Sequence, residues 1–476
     1  MDPYARFFKI IPKLTEIYTT GFELFSIYNS IYFKAFQQAS MMNCGEELEL
    51  EAVGNNNNTF YDRWRVLSDK QLDKELKSDS FTSLLSRYMD SLVELHSTLR
   101  QIGYPVYFSR WLFNSYVKNL LAGASVQKND FDRLTPFDVM FAKGKARLLH
   151  YYNSDSGKDI TTKRHQASPM SSSLPQSPVL LLYAPINRFH IMDICPDRSV
   201  VRALLSRGLD VYLLDWGYPE WNDSCLSLSD YVNYVKDSVQ IIKDKTGTDK
   251  ISMLGYCWGG IIGIIYAALN NENLKSLALM GVPIDFSKDN TILTSWAKAI
   301  DVDKMIDEFD HIDGLPIDLA FIMRNPPRYA IDRYIKLFER LHDKQFVNSF
   351  IALQKWLIDT PPIPGNLYRQ IINDCYKNNL LISNRMRIDG NLVDLRKITI
   401  PLLTIVAKHD DLVSPESTLS VNHCVSSREK ITRVYSGDHI ALCVSSIAHK
   451  KLWPEVSEWI ISKSAVAITY NTDQEN

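Results

Sequence analysis

Cys257 lies in the run Gly255-Tyr256-Cys257-Trp258-Gly259-Gly260, directly after the apolar segment Ile251-Ser252-Met253-Leu254. A short apolar run that enters G-x-C-x-G and then a helix-forming stretch is the pattern of a nucleophile elbow. The strand-to-helix turn is so sharp there that the nucleophile's neighbours must be small. Serine is the usual occupant, and a cysteine changes the chemistry. A thiol that attacks a thioester makes a new thioester at nearly equal free energy, so the acyl group stays activated and can be handed on. A serine would hold it as a lower-energy oxoester. Two later segments supply partners. The apolar run 401–406 leads into Ala407-Lys408-His409-Asp410-Asp411, and the run 431–435 leads into Ser436-Gly437-Asp438-His439. His439 is expected to take the proton of the Cys257 thiol, which alone would be mostly protonated at neutral pH. Asp410, favoured over Asp411 by its distance from the strand end, would orient the imidazole and stabilise its charged form. The Trp258 amide, at the start of the helix, would donate to the developing oxyanion. A second donor is expected from the loop Ala184-Pro185-Ile186-Asn187-Arg188. Pro185 has no amide hydrogen, so Ile186 is the choice, with Asn187 next.

Each of these residues also has a structural reading. A lone cysteine between glycines is more often a small buried hydrophobe; the order, spacing and loop placement of all three groups argue for catalysis instead. His409 shares the acid's loop and reads as a surface residue. Cys443 and His449 are six residues apart with no third ligand at metal spacing, so no metal site is expected. Trp216 and Trp356 read as packing. The chain has no G-x-G-x-x-G or P-loop run, which leaves nucleotide hydrolysis and hydride transfer without support.

The elements that must position these groups follow from the apolar pattern. Runs at 179–184, 210–214, 250–254, 275–281 and 401–406 are candidate strands, and 145–152 is a plausible first strand. Helical stretches near 199–207, 229–244, 259–269 and 444–461 alternate with them. Such alternation predicts an α/β protein with a mainly parallel sheet covered by helices. The order nucleophile, acid, histidine is that of the α/β-hydrolase fold. Residues 284–395 break the alternation; they are helical by pattern and rich in aromatics and proline, and read as a cap inserted over the sheet's active edge. Residues 153–178 are Ser-, Pro- and Lys-rich and read as a mobile loop. The catalytic domain is thus expected over 134–476.

Residues 1–133 read as a helical N-terminal region. Ile10, Leu14, Ile17, Gly21, Leu24, Tyr28 and Ile31 recur on one helix face. Leu85, Tyr88, Leu92, Leu95, Leu99 and Ile102 repeat the pattern until Gly103 and Pro105 stop it. Residues 55–58, four asparagines, read as a loop between them. Two such stripes mean helices packed on each other or on the main domain, with docking to a partner helix or an apolar particle surface as the alternative.

Composition bounds the rest. The chain has 476 residues and a formal net charge of −2, so nothing global points to nucleic acid. Seven scattered cysteines without a C-x-x-C pair read as thiols of a reducing compartment. No stretch approaches the roughly 18 consecutive apolar residues of a membrane span, and residues 7–36 lack the layout of a signal peptide. A cytoplasmic location is expected.

The motifs together resemble one family, the polyhydroxyalkanoate synthases, and within it the catalytic subunit of the two-subunit, short-chain type called class III. The resemblance is carried by Tyr183-Ala184-Pro185-Ile186-Asn187-Arg188, Asp210-Val211-Tyr212-Leu213-Leu214-Asp215-Trp216-Gly217-Tyr218-Pro219 and the Cys257 box. Gly281-Val282-Pro283-Ile284-Asp285-Phe286, Gln354-Lys355-Trp356 and Gly437-Asp438-His439-Ile440 continue it, over about residues 134–462. It implies an acyltransferase that polymerises (R)-3-hydroxyacyl-CoA, with 3-hydroxybutyryl the favoured unit, into polyester on cytoplasmic granules, releasing CoA. No cofactor is implied beyond the thioester substrate. By this resemblance Cys257 carries the growing chain, His439 activates it, and Asp410 also assists the incoming 3-hydroxyl. Asn187 and Arg188 are the candidate substrate contacts, and a homodimer and a helical partner subunit are the expected associations. The chain departs from the family in Asp411, where a histidine is common, in Ser436-Gly437-Asp438 before the histidine, where a Gly-Gly pair is common, and in the bulky Trp258. It departs also in the length of the 153–178 loop and of the N-terminal region, which could dock a partner subunit or replace it. The competing readings are a cysteine-dependent ester or thioester hydrolase that admits water, and a granule scaffold with an idle hydrolase fold.

Overall fold

The structure is a computed structural model that describes residues 3–41, 60–101, 134–153, 177–325 and 327–463. The asparagine loop at 55–58 and nearly all of the 153–178 loop lie outside the described residues. The chain divides into two compact units.

The first unit, Gln127–Tyr218, Leu228–Asp285 and Leu380–Asn476, holds the sheet. Its eight strands are β1 (Phe137–Lys143), β2 (Ala146–Tyr151), β3 (Pro178–Leu182), β4 (Asp210–Asp215), β5 (Ile251–Tyr256), β6 (Leu274–Met280), β7 (Leu402–Ala407) and β8 (Lys430–Tyr435). They are ordered β1-β2-β4-β3-β5-β6-β7-β8. β2 pairs antiparallel with both β1 and β4, and every later pairing is parallel. Every residue of β3 and β5 is buried, as strands covered by helices on both faces require. The helices Leu228–Thr246, Trp258–Leu269 and Trp453–Ser462 lie in the connections and after the last strand. Strand order reverses around β3, and at such a switch point a parallel sheet gathers its loops at the carboxyl ends of the strands. β1 was not expected from the sequence. It pairs back on β2 through a turn at Gly144 (φ +59°), and a register shift between Val139 and Phe141 breaks the alternation that would have marked it.

The second unit comprises Met1–Val126, Pro219–Ser227 and Phe286–Asn379. α1 (Pro3–Met41), α2 (Phe60–Leu76) and α3 (Asp79–Gln101) pack on one another, and Gly21 lets the Tyr88 ring approach so closely that a Cβ there would lie 3.3 Å from it. The stripe residues Tyr28 and Ile31 are buried with Leu72, Leu76, Phe81 and Trp296, the last from the helix Ile292–Ala299. Trp296 stacks on Phe81 (5.8 Å between ring centres) and its indole donates 3.0 Å to the Leu76 carbonyl. Tyr28 donates to the Met323 carbonyl, Asn325 to Asp69, and Lys304 to Asp90. The sequence reading separated residues 1–133 from a cap at 284–395. In the structure the helices α1 to α3 and the helix Ile292–Ala299 share one apolar core, and the chain returns to the sheet unit at Leu380, where Arg387–Ile388 and Asn391–Leu392 form a hairpin. No described helix is long and apolar enough to cross a membrane.

Candidate active site

β5 delivers the chain to Cys257, which has φ 54° and ψ −131°, and the helix begins at the next residue. Few non-glycine residues adopt such a conformation; it is held by the packing around it. The three glycines of the box are obligatory for separate reasons. A Cβ on Gly255 would lie 2.5 Å from the Gly260 Cα, one on Gly259 would lie 2.3 Å from the Tyr183 carbonyl oxygen, and one on Gly260 would lie 2.2 Å from a Val282 methyl. The Cys257 amide donates to the Met280 carbonyl at 3.1 Å, tying the turn to the end of β6. The helix is apolar all round and buried from Trp258 to Ala268, so it cannot shift toward solvent.

β7 and β8 end side by side, and their loops bring the other two groups together. His439 Nδ1 and Asp410 Oδ2 are 2.7 Å apart, with both side chains almost wholly buried. The second oxygen of Asp410 accepts the Leu412 and Val413 amides at 3.0 and 2.9 Å, which fixes the carboxylate's rotation. The loops themselves are tied where the His409 amide donates to the Gly437 carbonyl. Burial alone would drive the His439 pKa down, but the Asp410 carboxylate and the Cys257 thiol outweigh it and hold the imidazole well above the usual histidine range. Nε2 of His439 is buried and makes no hydrogen bond of full geometry, although the ring interacts with Cys257. Resting active sites are commonly loose in this way and tighten on substrate. Cys257 itself is half-buried and so remains reachable.

The other expected residues lie at the start of the elbow helix, in the loop after β3 and beside Asp410. Trp258 is the first residue of the elbow helix, in the turn whose amides point out of the N-terminus. Ile186 and Asn187 are buried in the loop after β3. Arg188 is half-buried, with its guanidinium 5.8 Å from the centre of the Tyr218 ring and 5.9 Å from that of Phe189. His409 is exposed.

Two residues at the site were not foreseen. Gly281 (φ +54°) follows β6, and a Cβ there would lie 2.8 Å from His439 Cε1 and 3.5 Å from Asp410 Oδ2, so only glycine leaves room for the pair. Tyr256, fully buried, stacks on the His439 ring (4.8 Å between centres, 27° between planes), and its hydroxyl donates 3.3 Å to the His439 carbonyl. The residue before Cys257 thereby braces the His439 ring. Its place beside Cys257 was the only signal available in the sequence.

An eight-stranded, mostly parallel sheet with a cysteine in the sharp turn after β5, a carboxylate after β7 and a histidine after β8 defines the α/β-hydrolase class, and the model of the alpha/beta hydrolase fold matches residues 178–442. The chain is 36% identical over 347 residues to the poly(3-hydroxyalkanoate) polymerase subunit PhaC of Haloferax mediterranei, covering 72% of this chain and 67% of that protein. It is 34% identical over 345 residues to the subunit of the same name from Allochromatium vinosum, covering 72% of this chain and 92% of that one. The Synechocystis subunit is 35% identical over 291 residues, 60% of this chain and 77% of its own. The chain belongs to the poly(3-hydroxyalkanoate) polymerase family.

Proposed function

We propose that this chain polymerises (R)-3-hydroxyacyl-CoA into polyester with release of CoA, short units such as 3-hydroxybutyryl being the favoured substrate. The observation that carries the reading is a cysteine, in place of the usual serine, at the elbow beside the buried His439–Asp410 pair in a chain of this family. Cys257 gives its proton to His439 and attacks the thioester carbonyl. The tetrahedral oxyanion is met by the amides of Trp258 and Ile186, and collapse expels CoA, which takes the proton from His439. The acyl-Cys257 thioester keeps its reactivity. His439 then removes the proton of an incoming 3-hydroxyl, whose oxygen attacks the acyl carbon; an ester forms and the Cys257 thiolate is released and reprotonated. Asp410 keeps the imidazole in the tautomer that this cycle needs. No cofactor enters the cycle. Water competes with the hydroxyl for the same acyl group, so the helical insertion is assigned the task of limiting hydrolysis. The enzyme is expected in the cytoplasm at the surface of polyester granules, as a homodimer, with a helical partner subunit that residues 1–133 either dock or replace. Asn187 and Arg188 are assigned to the acyl-CoA.

The test is incubation of the purified chain with (R)-3-hydroxybutyryl-CoA, with CoA release followed by thiol titration and the product by size and mass. High-mass polyester from wild type and none from Cys257→Ser is the expected result. Free 3-hydroxybutyrate alongside CoA would make the protein a hydrolase. If CoA appears only after a helical partner subunit is added, docking is favoured over replacement.

A further inference from the structure

The Asp215-Trp216-Gly217 run lies outside the groups that do the chemistry, yet its contacts converge on the residue from which the oxyanion loop springs. Asp215 ends β4 and is fully buried. One carboxylate oxygen accepts the Arg147 guanidinium at 2.6 and 3.1 Å. The other accepts the Tyr183 hydroxyl at 3.1 Å and the Gly217 amide at 3.0 Å. The Tyr183 hydroxyl in turn accepts the Trp216 amide at 3.1 Å. At the opposite end of Tyr183, the Trp216 indole N–H donates 2.7 Å to its main-chain carbonyl. Tyr183 is therefore held by its hydroxyl and by its carbonyl from two consecutive residues. The turn that permits this needs Gly217, whose φ is +79° and whose Cβ would lie 2.1 Å from the Lys145 carbonyl oxygen.

That carbonyl is not a neutral anchoring point. It is the oxygen against which Gly259 of the elbow packs, at a distance no Cβ would tolerate. It also shares a rigid peptide plane with the Ala184 amide, so fixing it sets the direction in which the chain leaves β3. Pro185 follows with its own restricted φ, and the Ile186 amide comes next. We infer that Trp216, held by the Asp215 network, is a positioning residue. Its indole N–H sets the peptide that aims the Ile186 amide at the oxyanion, in register with the elbow that carries Cys257. The inference rests on the reading of the loop after β3 as the second oxyanion donor.

Trp216→Phe keeps an aromatic ring against Tyr231, 5.1 Å away in wild type, and removes the donor together with part of the indole's bulk. The expected result is a fall in kcat for CoA release of about 10- to 100-fold, somewhat less than the loss of a whole oxyanion donor, with KM little changed. The diagnostic readout is affinity for two analogues. A trifluoromethyl ketone analogue of the acyl-CoA adds the Cys257 sulfur to form a hemithioketal whose oxyanion occupies the hole. A CoA thioether has no carbonyl. Trp216→Phe should weaken the ketone by a factor like that in kcat and leave the thioether unchanged. If both analogues bind as in wild type, or both weaken together with a lowered Tm, the indole is packing only and the inference is overturned. Placing β-(3-benzothienyl)alanine at 216, which keeps the bicyclic ring and lacks the N–H, must reproduce the loss; retention of wild-type ketone affinity overturns the inference even if the phenylalanine variant folds poorly. Cys257→Ala is run in parallel. Its loss of turnover with a failed Trp216 result leaves the catalytic reading standing alone, and turnover that survives in Cys257→Ala removes both.

Discussion

At the scale of residues, the site is a contest over one imidazole. His439 is buried, which by itself favours the neutral ring, and the Asp410 carboxylate at 2.7 Å, together with the neighbouring Cys257, reverses that preference. Asp410→Asn tests the balance with little steric change, because the asparagine oxygen can still accept the Leu412 and Val413 amides while its NH2 faces Nδ1 and enforces the wrong tautomer. Turnover should fall by up to about 10⁴-fold, as when a triad acid becomes an amide. Stability should respond to pH with a definite sign. A histidine whose folded pKa is raised above its unfolded value of about 6.5 contributes stability that is fully present below that value and lost as pH rises through the folded pKa. The variant's deficit against wild type is therefore largest near pH ~6 and shrinks on the alkaline side, as urea unfolding at a series of pH values would show. A deficit that grows with pH would count against the assignment of the raised pKa to Asp410.

At the scale of elements, what positions Cys257 is steric exclusion. Gly259 and Gly263 belong to one helix and face the same strand β3, but they meet different atoms. A Cβ on Gly259 meets the Tyr183 carbonyl oxygen at 2.3 Å, whereas one on Gly263 meets the ends of the Leu182 and Met253 side chains at 3.2 and 3.4 Å. Backbone cannot step aside and side-chain termini can. Gly259→Ala should lose at least about 1–3 kcal/mol and most of the activity, while Gly263→Ala should stay near neutral because a gain of about 1 kcal/mol in helix propensity offsets the crowding. Thermal unfolding and CoA release measured on both variants separate the cases, and equal sensitivity would refute the distinction. This is also where the sequence was most and least legible. The runs that become β3 to β7 are buried almost throughout, so apolar content located them, whereas the largely exposed β8 was found by the histidine loop it leads into; with them came the loops of Cys257, Asp410 and His439. β1 was missed because its bulge at Val139–Phe141 removes the period of two. Gly281 and Tyr256 were missed because their work depends on proximity to His439, more than 150 residues away along the chain for each, which no local pattern encodes.

At the scale of the whole molecule, the division of the chain into units does not follow its order. The stripes of α1 and α3 lie on helices, with Ile102 outside the described residues, but the buried apolar positions of α3 are Phe81, Leu84 and Val93, and the partner Trp296 lies some 200 residues beyond α3. Because Tyr28, Ile31, Leu72, Leu76, Phe81 and Trp296 make one core, the N-terminal helices and the insertion should gain and lose order together. Trp296→Ala tests this. It removes the stack on Phe81 and leaves the Leu76 carbonyl without its indole donor, at a cost of about 3–5 kcal/mol, the usual range for truncating a buried aromatic. Hydrogen exchange should then speed up in α1, α2, α3 and the helix Ile292–Ala299 as one group, with β3 and β5 keeping their protection. Loss of protection confined to Ile292–Ala299 would mean that α1 to α3 hold together without it. The N-terminal helices would then be a separate module with an apolar face free for other use, and truncation before residue 134 should leave the insertion folded. The shared core predicts the reverse: such a truncation exposes Trp296 and raises dye binding to apolar surface, whether or not a partner subunit is present.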